Sequence, residues 1–274
     1  MKHTARTDIA KTQEQLCADG VPHAVATVVR TLSSTAAKPG MKAIVLKNGD
    51  FAEGWLGGGC VTSAVRKAAK TAIETGEATL VCLRPEELLA DETDADMVTL
   101  ARNGCPSKGS MDIFVEPVVP LPDLVVYGHG PVALALVQIA RGFGFTLTVC
   151  GKVDGDVIAA DRHFATPAEF DKQPQSNAER YIVVATQGAG DVAALTSALS
   201  DTYAYAAFVG SRRKFAAYAD RLVDAGIRSE ALAAVRSPAG LHIHAVTPEE
   251  IALSIMAEIV QTRRAGRGEE IIDG

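Results

Sequence analysis

The 274-residue sequence predicts a mixed α/β chain: an N-terminal α+β domain followed by a Rossmann-like parallel-sheet domain. Three observations carry this. Alternating Val- and Thr-rich stretches with hairpin signals fill residues 1–118, two prolines break the pattern at 119–123, and strands alternate with helices over 124–274. In order, residues 9–19 predict a short helix stopped at Gly20, and His23–Leu32 a strand. Lys42–Lys47 and Phe51–Leu56 predict strands joined through Asn48-Gly49-Asp50, since Asn-Gly suits the tight turns that need positive φ. Val61–Glu74 has helical spacing and ends near Gly76; Thr79–Leu83 and Met111–Val118 read as strands, and residues 84–110 between them are polar and unassigned. Pro120 and Pro122 stiffen the linker. Beyond it, strands are expected at Leu124–Tyr127, Thr146–Val149, Tyr181–Ala185 and Ala204–Val209. Helices are expected at Val132–Arg141, Asp191–Leu199, Arg212–Ala225 and Thr247–Thr262, with a loose polar tail from Arg263. Thr247-Pro248-Glu249-Glu250 is a helix start, with Thr as cap, Pro in the first turn and Glu250 closing a capping box.

Composition narrows the function. Hydrophobic residues at 47% and charged residues at 22% are globular values, so wholesale disorder is excluded. A net charge of −6 gives no long-range attraction to nucleic acid or an anionic membrane, and the densest basic cluster, Arg212-Arg213-Lys214, is short. The five cysteines, Cys17, Cys60, Cys82, Cys105 and Cys150, are odd in number and contain no C-x-x-C, which argues against a disulfide framework or a zinc ribbon. The N-terminal residues lack an apolar signal core and no apolar run is long enough to span a bilayer, so a reduced, cytoplasmic location is expected.

Four motifs could carry chemistry. Gly128-His129-Gly130-Pro131-Val132-Ala133 follows a strand and opens a helix, the context in which glycines let a backbone approach a pyrophosphate. The acid that reads a ribose in NAD enzymes is missing, because Val149-Cys150-Gly151-Lys152 stands at the end of the second strand. Gly57-Gly58-Gly59-Cys60 can form a nest of amides for an anion, and Cys60 would sit where a helix N-terminus favours the thiolate. That makes Cys60 a candidate nucleophile, sulfur carrier or soft-metal ligand; the alternative is a small, inert, buried cysteine. Cys105-Pro106-Ser107-Lys108-Gly109 places a second thiol beside a cation, or is an ordinary surface loop. Gly210-Ser211-Arg212-Arg213-Lys214 puts Ser211 and Arg212 at a helix start, for phosphate or partner contact or simply as cap and solvated charge. Cys17, Cys82 and Cys150 fall within expected elements and read as structural. His242 and His244 alternate on an expected strand without a third ligand, and are read as structural or solvent-facing. No hydrolase motif is present.

Residues Ser33–Ala69, with their GGGC, resemble the N-terminal domain of the XdhC/CoxF family, maturation factors of xanthine and carbon monoxide dehydrogenases. Cys105–Pro117 resembles the family's next block, Tyr127–Leu136 the start of its Rossmann domain, and Phe208–Lys214 and Thr247–Val260 its C-terminal blocks. The GGGC and C-P-S-x-G variants resemble the CoxF-like branch. The resemblance implies binding of the molybdenum cofactor, as molybdopterin or its cytosine dinucleotide, and delivery to an apo molybdenum hydroxylase. It also implies sulfuration with a cysteine desulfurase or, in the CoxF-like branch, assembly of a copper–sulfur–molybdenum centre. Gly57, Gly58, Gly59, Cys60, Gly128, Gly130, Ser211 and Arg212 are then the expected cofactor contacts, and Cys60 and Cys105 the reactive thiols and metal ligands. A nucleotide in the Rossmann domain and a homodimer are further expectations. A chaperone fits the absence of an acid–base pair. The competing readings are an NADP-dependent oxidoreductase using Gly128–Ala133 and Lys152, and a sulfur-transfer protein with a persulfide on Cys60.

Overall fold

Val, Ile and Ala at alternate positions build pleated strands with one face for a helix, and the chain uses them so before switching to strands that are apolar on both faces. The computed structural model describes residues 4–32, 37–89, 98–104, 109–152, 160–188 and 190–265, in two units divided between Pro120 and Leu121.

The first unit holds α1 (Thr4–Ala18), β1 (His23–Leu32), β2 (Lys42–Leu46), β3 (Phe51–Gly54), α2 (Gly59–Thr75), β4 (Thr79–Arg84), α3 (Glu86–Leu89), β5 (Val98–Arg102) and β6 (Ser110–Val118). Its six strands run in the order β3-β2-β1-β6-β4-β5, antiparallel except for β4 with β5. Ala24, Ala26 and Val28 of β1 and Ala43 and Val45 of β2 face one core with Val65, Ala69 and Ala72 of α2. Burying a Val in that core contributes about 1.5–3 kcal/mol. That outweighs the roughly 0.5 kcal/mol a β-branched residue costs a helix. Gly76, at φ 76°, closes α2 by donating its N–H to the Ala72 carbonyl. The β2–β3 turn is the expected hairpin; Gly49 takes φ 90° and Asp50 donates its N–H to Asn48 Oδ1 at 2.9 Å.

The second unit is doubly wound. It contains β7 (Asp123–Tyr127), α4 (Pro131–Ala140), a 3-10 turn (Arg141–Phe143), β8 (Thr146–Cys150), β9 (Arg162–Phe164), α5 (Pro167–Phe170), β10 (Arg180–Val184), α6 (Asp191–Leu199), β11 (Tyr205–Phe208), α7 (Arg212–Ala216), α8 (Ala219–Asp224), α9 (Ser229–Ala234) and α10 (Pro248–Ala265). The sheet is parallel, in the order β11-β10-β7-β8-β9. Leu124, Val126, Val149 and Val183 pack under α4 and α10, through Leu136, Ala140, Ile255 and Ile259. Val125, Tyr127, Ile182 and Phe208 face Leu195, Leu199 and Leu222 on α6 and α8. Helices on both faces explain why these strands are continuous apolar runs. The capping box of α10 forms as expected: Glu250 donates its N–H to Thr247 Oγ1 at 3.3 Å and accepts from the Thr247 N–H at 2.9 Å.

Several expectations change. The single helix over Arg212–Ala225 is two, broken at Ala217–Tyr218, where the Tyr218 hydroxyl turns to Asp191 instead of continuing the helical face. His242 and His244 lie in a loop rather than a strand, because Leu241 donates its N–H to the Ser254 carbonyl of α10 and His244 takes φ 59°. The stretch left unassigned contains α3 and β5, whose half-exposed edge position hides the strand alternation. Arg263–Ala265 belong to α10, and residues 266–274 lie outside the described residues. Cys82 and Cys150 are buried, but Cys17 is exposed on α1.

Candidate functional site

In the first unit the chain leaves β3 through Trp55 and Gly57 to enter α2. Gly57 has φ 146°, and a Cβ there would come within 3.0 Å of the Val61 side chain. Gly58 has ordinary extended backbone, φ −75° and ψ −170°, and Gly59 is helical; at both positions a Cβ would meet no atom within 4 Å. Only Gly57 therefore needs glycine's freedom, while Gly58 and Gly59 keep the approach to the helix clear. No side chain caps α2, so the amides of its first turn have no side-chain acceptor from the N-cap. Cys60, second in the helix, is exposed, not buried. Trp55, at the start of the turn that leads into α2, is 52% exposed, an aromatic face that reading the motif alone passed over.

The structure also brings Gly104 to this thiol: a Cβ on Gly104 would lie 3.6 Å from Cys60 Sγ. Gly104 follows β5. Asn103 closes the base of its loop, donating its N–H to the Arg84 carbonyl and its Nδ2–H to the Gly109 carbonyl, both at 2.6 Å. Cys105, with Pro106, Ser107 and Lys108, lies outside the described residues. Nearby strands are tied by Asp112, whose carboxyl is buried; burial opposes ionisation, but Arg84 and Arg30, each at 2.6 Å, hold it below the usual carboxylate range.

In the second unit strand order reverses at β7, so the crevice lies at the carboxyl ends of β7 and β10. Gly128 has φ 122°, and a Cβ on it would come to 2.3 Å from the Ala185 carbonyl oxygen. At Gly130, the N-cap of α4, a Cβ would lie 2.7 Å from the Gln187 carboxamide. Gln187 itself has φ 55°, rare for a residue with a side chain. These glycines thus bring backbone and carboxamide together, and Gln187 occupies the ground over Gly130. β8 ends at Cys150, whose burial pushes its thiol up to about 12, and Gly151 and exposed Lys152 follow.

Alongside the crevice is a cluster that motif reading missed. Asp191, 2% exposed, accepts hydrogen bonds from Thr186 Oγ1, from the Gly188 N–H at 3.0 Å and from the Tyr218 hydroxyl at 2.8 Å, and pairs with Lys214 Nζ at 2.7 Å. Burial works against its charge, yet Lys214 and the three donors keep its carboxyl below the usual range. Asp191 in turn raises Lys214. Ser211 caps α7, accepting from the Lys214 N–H at 3.2 Å, and Arg212 Nε donates to the Ser237 carbonyl at 3.3 Å. The Gly-Ser-Arg-Arg-Lys segment is thus tied through Ser211 to its own helix start, through Arg212 to the Ser237 carbonyl and through Lys214 to Asp191 on α6. Among the described residues no group of three or more His, Cys, Asp or Glu is placed to hold a metal ion. No helix is long and apolar enough to cross a membrane, among the residues described.

Two family models match the chain: the XdhC and CoxI family over residues 16–84, and the XdhC Rossmann domain over residues 124–259. Among curated proteins, the uncharacterized protein YqeB of Escherichia coli K12 is 27% identical over 278 residues, covering 96% of this chain and 47% of that protein. A probable xanthine dehydrogenase subunit from Bacillus subtilis 168 is 29% identical over 166 residues, 56% of this chain and 46% of that protein. The chain thus spans about half the length of the curated relatives it matches. Among solved structures, a xanthine dehydrogenase from Bacillus halodurans aligns over 93% of this chain and 95% of that one, at 19% identity and a TM-score of 0.46.

Proposed function

The chain belongs to the XdhC family, and from that premise we propose that it is a maturation factor for a molybdenum hydroxylase, binding the molybdenum cofactor as cargo and passing it to the apo-enzyme. The observation that carries this is the surroundings of Cys60: an exposed thiol, open space at Gly58 and Gly59, a helix start with no side-chain cap, and the Gly104 backbone alongside. An anionic pterin phosphate suits uncapped amides, and a metal–sulfur end suits a thiol. Trp55 offers its face to the flat pterin. In this reading the residues bind and orient, Cys60 holds the soft end of the cargo, and a cysteine desulfurase and the client enzyme are the partners. The packing at Gly128 and Gly130 gives less support to the oxidoreductase reading, since Gln187 lies where a pyrophosphate would approach.

The test is retention of molybdenum on anaerobic gel filtration by wild type, Cys60→Ser and Cys105→Ser. Trp55 is the only tryptophan, so its fluorescence follows binding directly. Wild type should retain molybdenum and lose Trp emission, and Cys60→Ser should do neither while staying folded. No molybdenum on wild type, with tight NADPH binding, overturns the reading in favour of the oxidoreductase. The exposure of Cys60 also favours a persulfide carrier, which would show as a gain of about 32 Da on that thiol after incubation with a desulfurase.

A further inference from the structure

We propose that His242 and His244 form a binding site for a divalent transition-metal ion, copper(II) above all, on the second unit. Residues two apart on a strand hold their side chains on one face but roughly 6–7 Å apart. Here the chain is folded more tightly. Ile243 donates its N–H to the Leu241 carbonyl at 2.9 Å, turning the backbone at His242, and His244 takes the left-handed φ of 59°. The two imidazoles meet with centroids 4.4 Å apart and planes tilted by 53°.

That spacing has a chemical meaning. A metal-bound imidazole nitrogen sits about 2.0–2.1 Å from the ion, which puts the ring centroid at about 3.2 Å. Two such rings at right angles are then about 4.5 Å apart, and at the tetrahedral angle about 5.2 Å. A separation of 4.4 Å leaves room for one ion bound by both rings at neighbouring positions, as in the tetragonal sites that copper(II) and nickel(II) prefer. Water completes the remaining positions.

The ring nitrogens are uncommitted. His23 uses Nδ1 on the Val21 carbonyl and His163 uses Nε2 on the Gly151 carbonyl, whereas His242 and His244 have no hydrogen bond or ion pair among the described residues. Both are exposed. The loop presenting them is fastened on either side. Gly240 donates its N–H to Glu258 Oε2 at 2.8 Å, Leu241 to the Ser254 carbonyl at 3.1 Å, and Val246 to Glu250 Oε2 at 2.7 Å. A left-handed histidine in a loop so held is a pre-set ligand, kept against its backbone preference.

The experiment is a titration of the full chain with copper(II), read by electron paramagnetic resonance and calorimetry. A background of His3→Ala, Cys17→Ser, Cys60→Ser, Cys105→Ser and His129→Ala removes competing ligands. One equivalent should bind with the superhyperfine pattern of two nitrogens. His242→Ala should weaken it about tenfold or more. His244→Gly should abolish the two-nitrogen signal while the melting temperature holds or rises, because glycine suits the left-handed backbone. A structural role for His244 would lower the melting temperature instead. No nitrogen-coordinated equivalent in the background chain, or an unchanged signal in a chain carrying both His242→Ala and His244→Gly, overturns the proposal.

Discussion

At Gly58 and Gly59 an added Cβ would meet no atom within 4 Å, while at Gly128 it would press to 2.3 Å from a carbonyl oxygen and at Gly130 to 2.7 Å from a carboxamide. Both turns lead from a strand into a helix, and both are glycine-rich. In the first unit the glycines keep space open in front of an exposed thiol. In the second they let neighbouring segments close on each other. A glycine motif therefore states that Cβ is unwelcome, without stating whether a ligand or the protein fills its place.

The sharpest way to test this contrast is thiol chemistry. Under native conditions iodoacetamide should modify exposed Cys60 readily, and Cys150 at least ~1,000-fold more slowly, since reaction there waits for opening of the sheet. Peptide mapping over time checks it, and comparable rates would break the comparison. Next, Gly128→Ala should cost about 4 kcal/mol in urea denaturation, from strain at φ 122° plus backbone overlap. Gly59→Ala should stay within about 1 kcal/mol of wild type, on the stabilising side.

Removing Asp191 comes third. Asp191→Ala leaves Lys214 and Tyr218 without their acceptor and should cost about 2–3 kcal/mol, less than a fully buried pair because Lys214 is 38% exposed. The folded carboxyl titrates below its ordinary range. Its contribution is thus complete above that range and lost as pH falls through the lowered value, so the variant should show a flatter acid limb in stability against pH. Smallest is Gln187→Gly. It relieves φ 55° and uncovers Gly130, and should change stability by no more than about 1 kcal/mol. A gain in nucleotide affinity in that variant, seen by calorimetry, would mean that the carboxamide shields the crevice.

Much of the fold was legible because its signals are local or periodic. Leu124–Tyr127, apolar at every position, can only be a strand covered on both sides, and Thr247 with Glu250 announces the start of α10 three residues apart. What stayed hidden depends on distant partners. β5 exists because β4 offers it an edge, the break at Tyr218 because Asp191 draws its hydroxyl, and the His242–His244 loop because α10 supplies the Ser254 carbonyl. The candidate site divides likewise. Cys60 at a helix start could be read from Gly-Gly-Gly-Cys, but the approach of Gly104 across 44 residues, and the commitment of Lys214 to Asp191 on α6, follow from tertiary structure.

The pairing of α4 with α10 has a consequence for how the chain comes to exist. Leu136 and Ala140 on α4, the helix after the Gly128 turn, share a core with Ile255 and Ile259. A ribosome makes α4 long before it makes α10, and at about 5–20 residues per second the interval is several seconds at least. Throughout that time the apolar side of the early strand and helix has no cover. The nascent second unit therefore carries this apolar surface uncovered until the last helix is made.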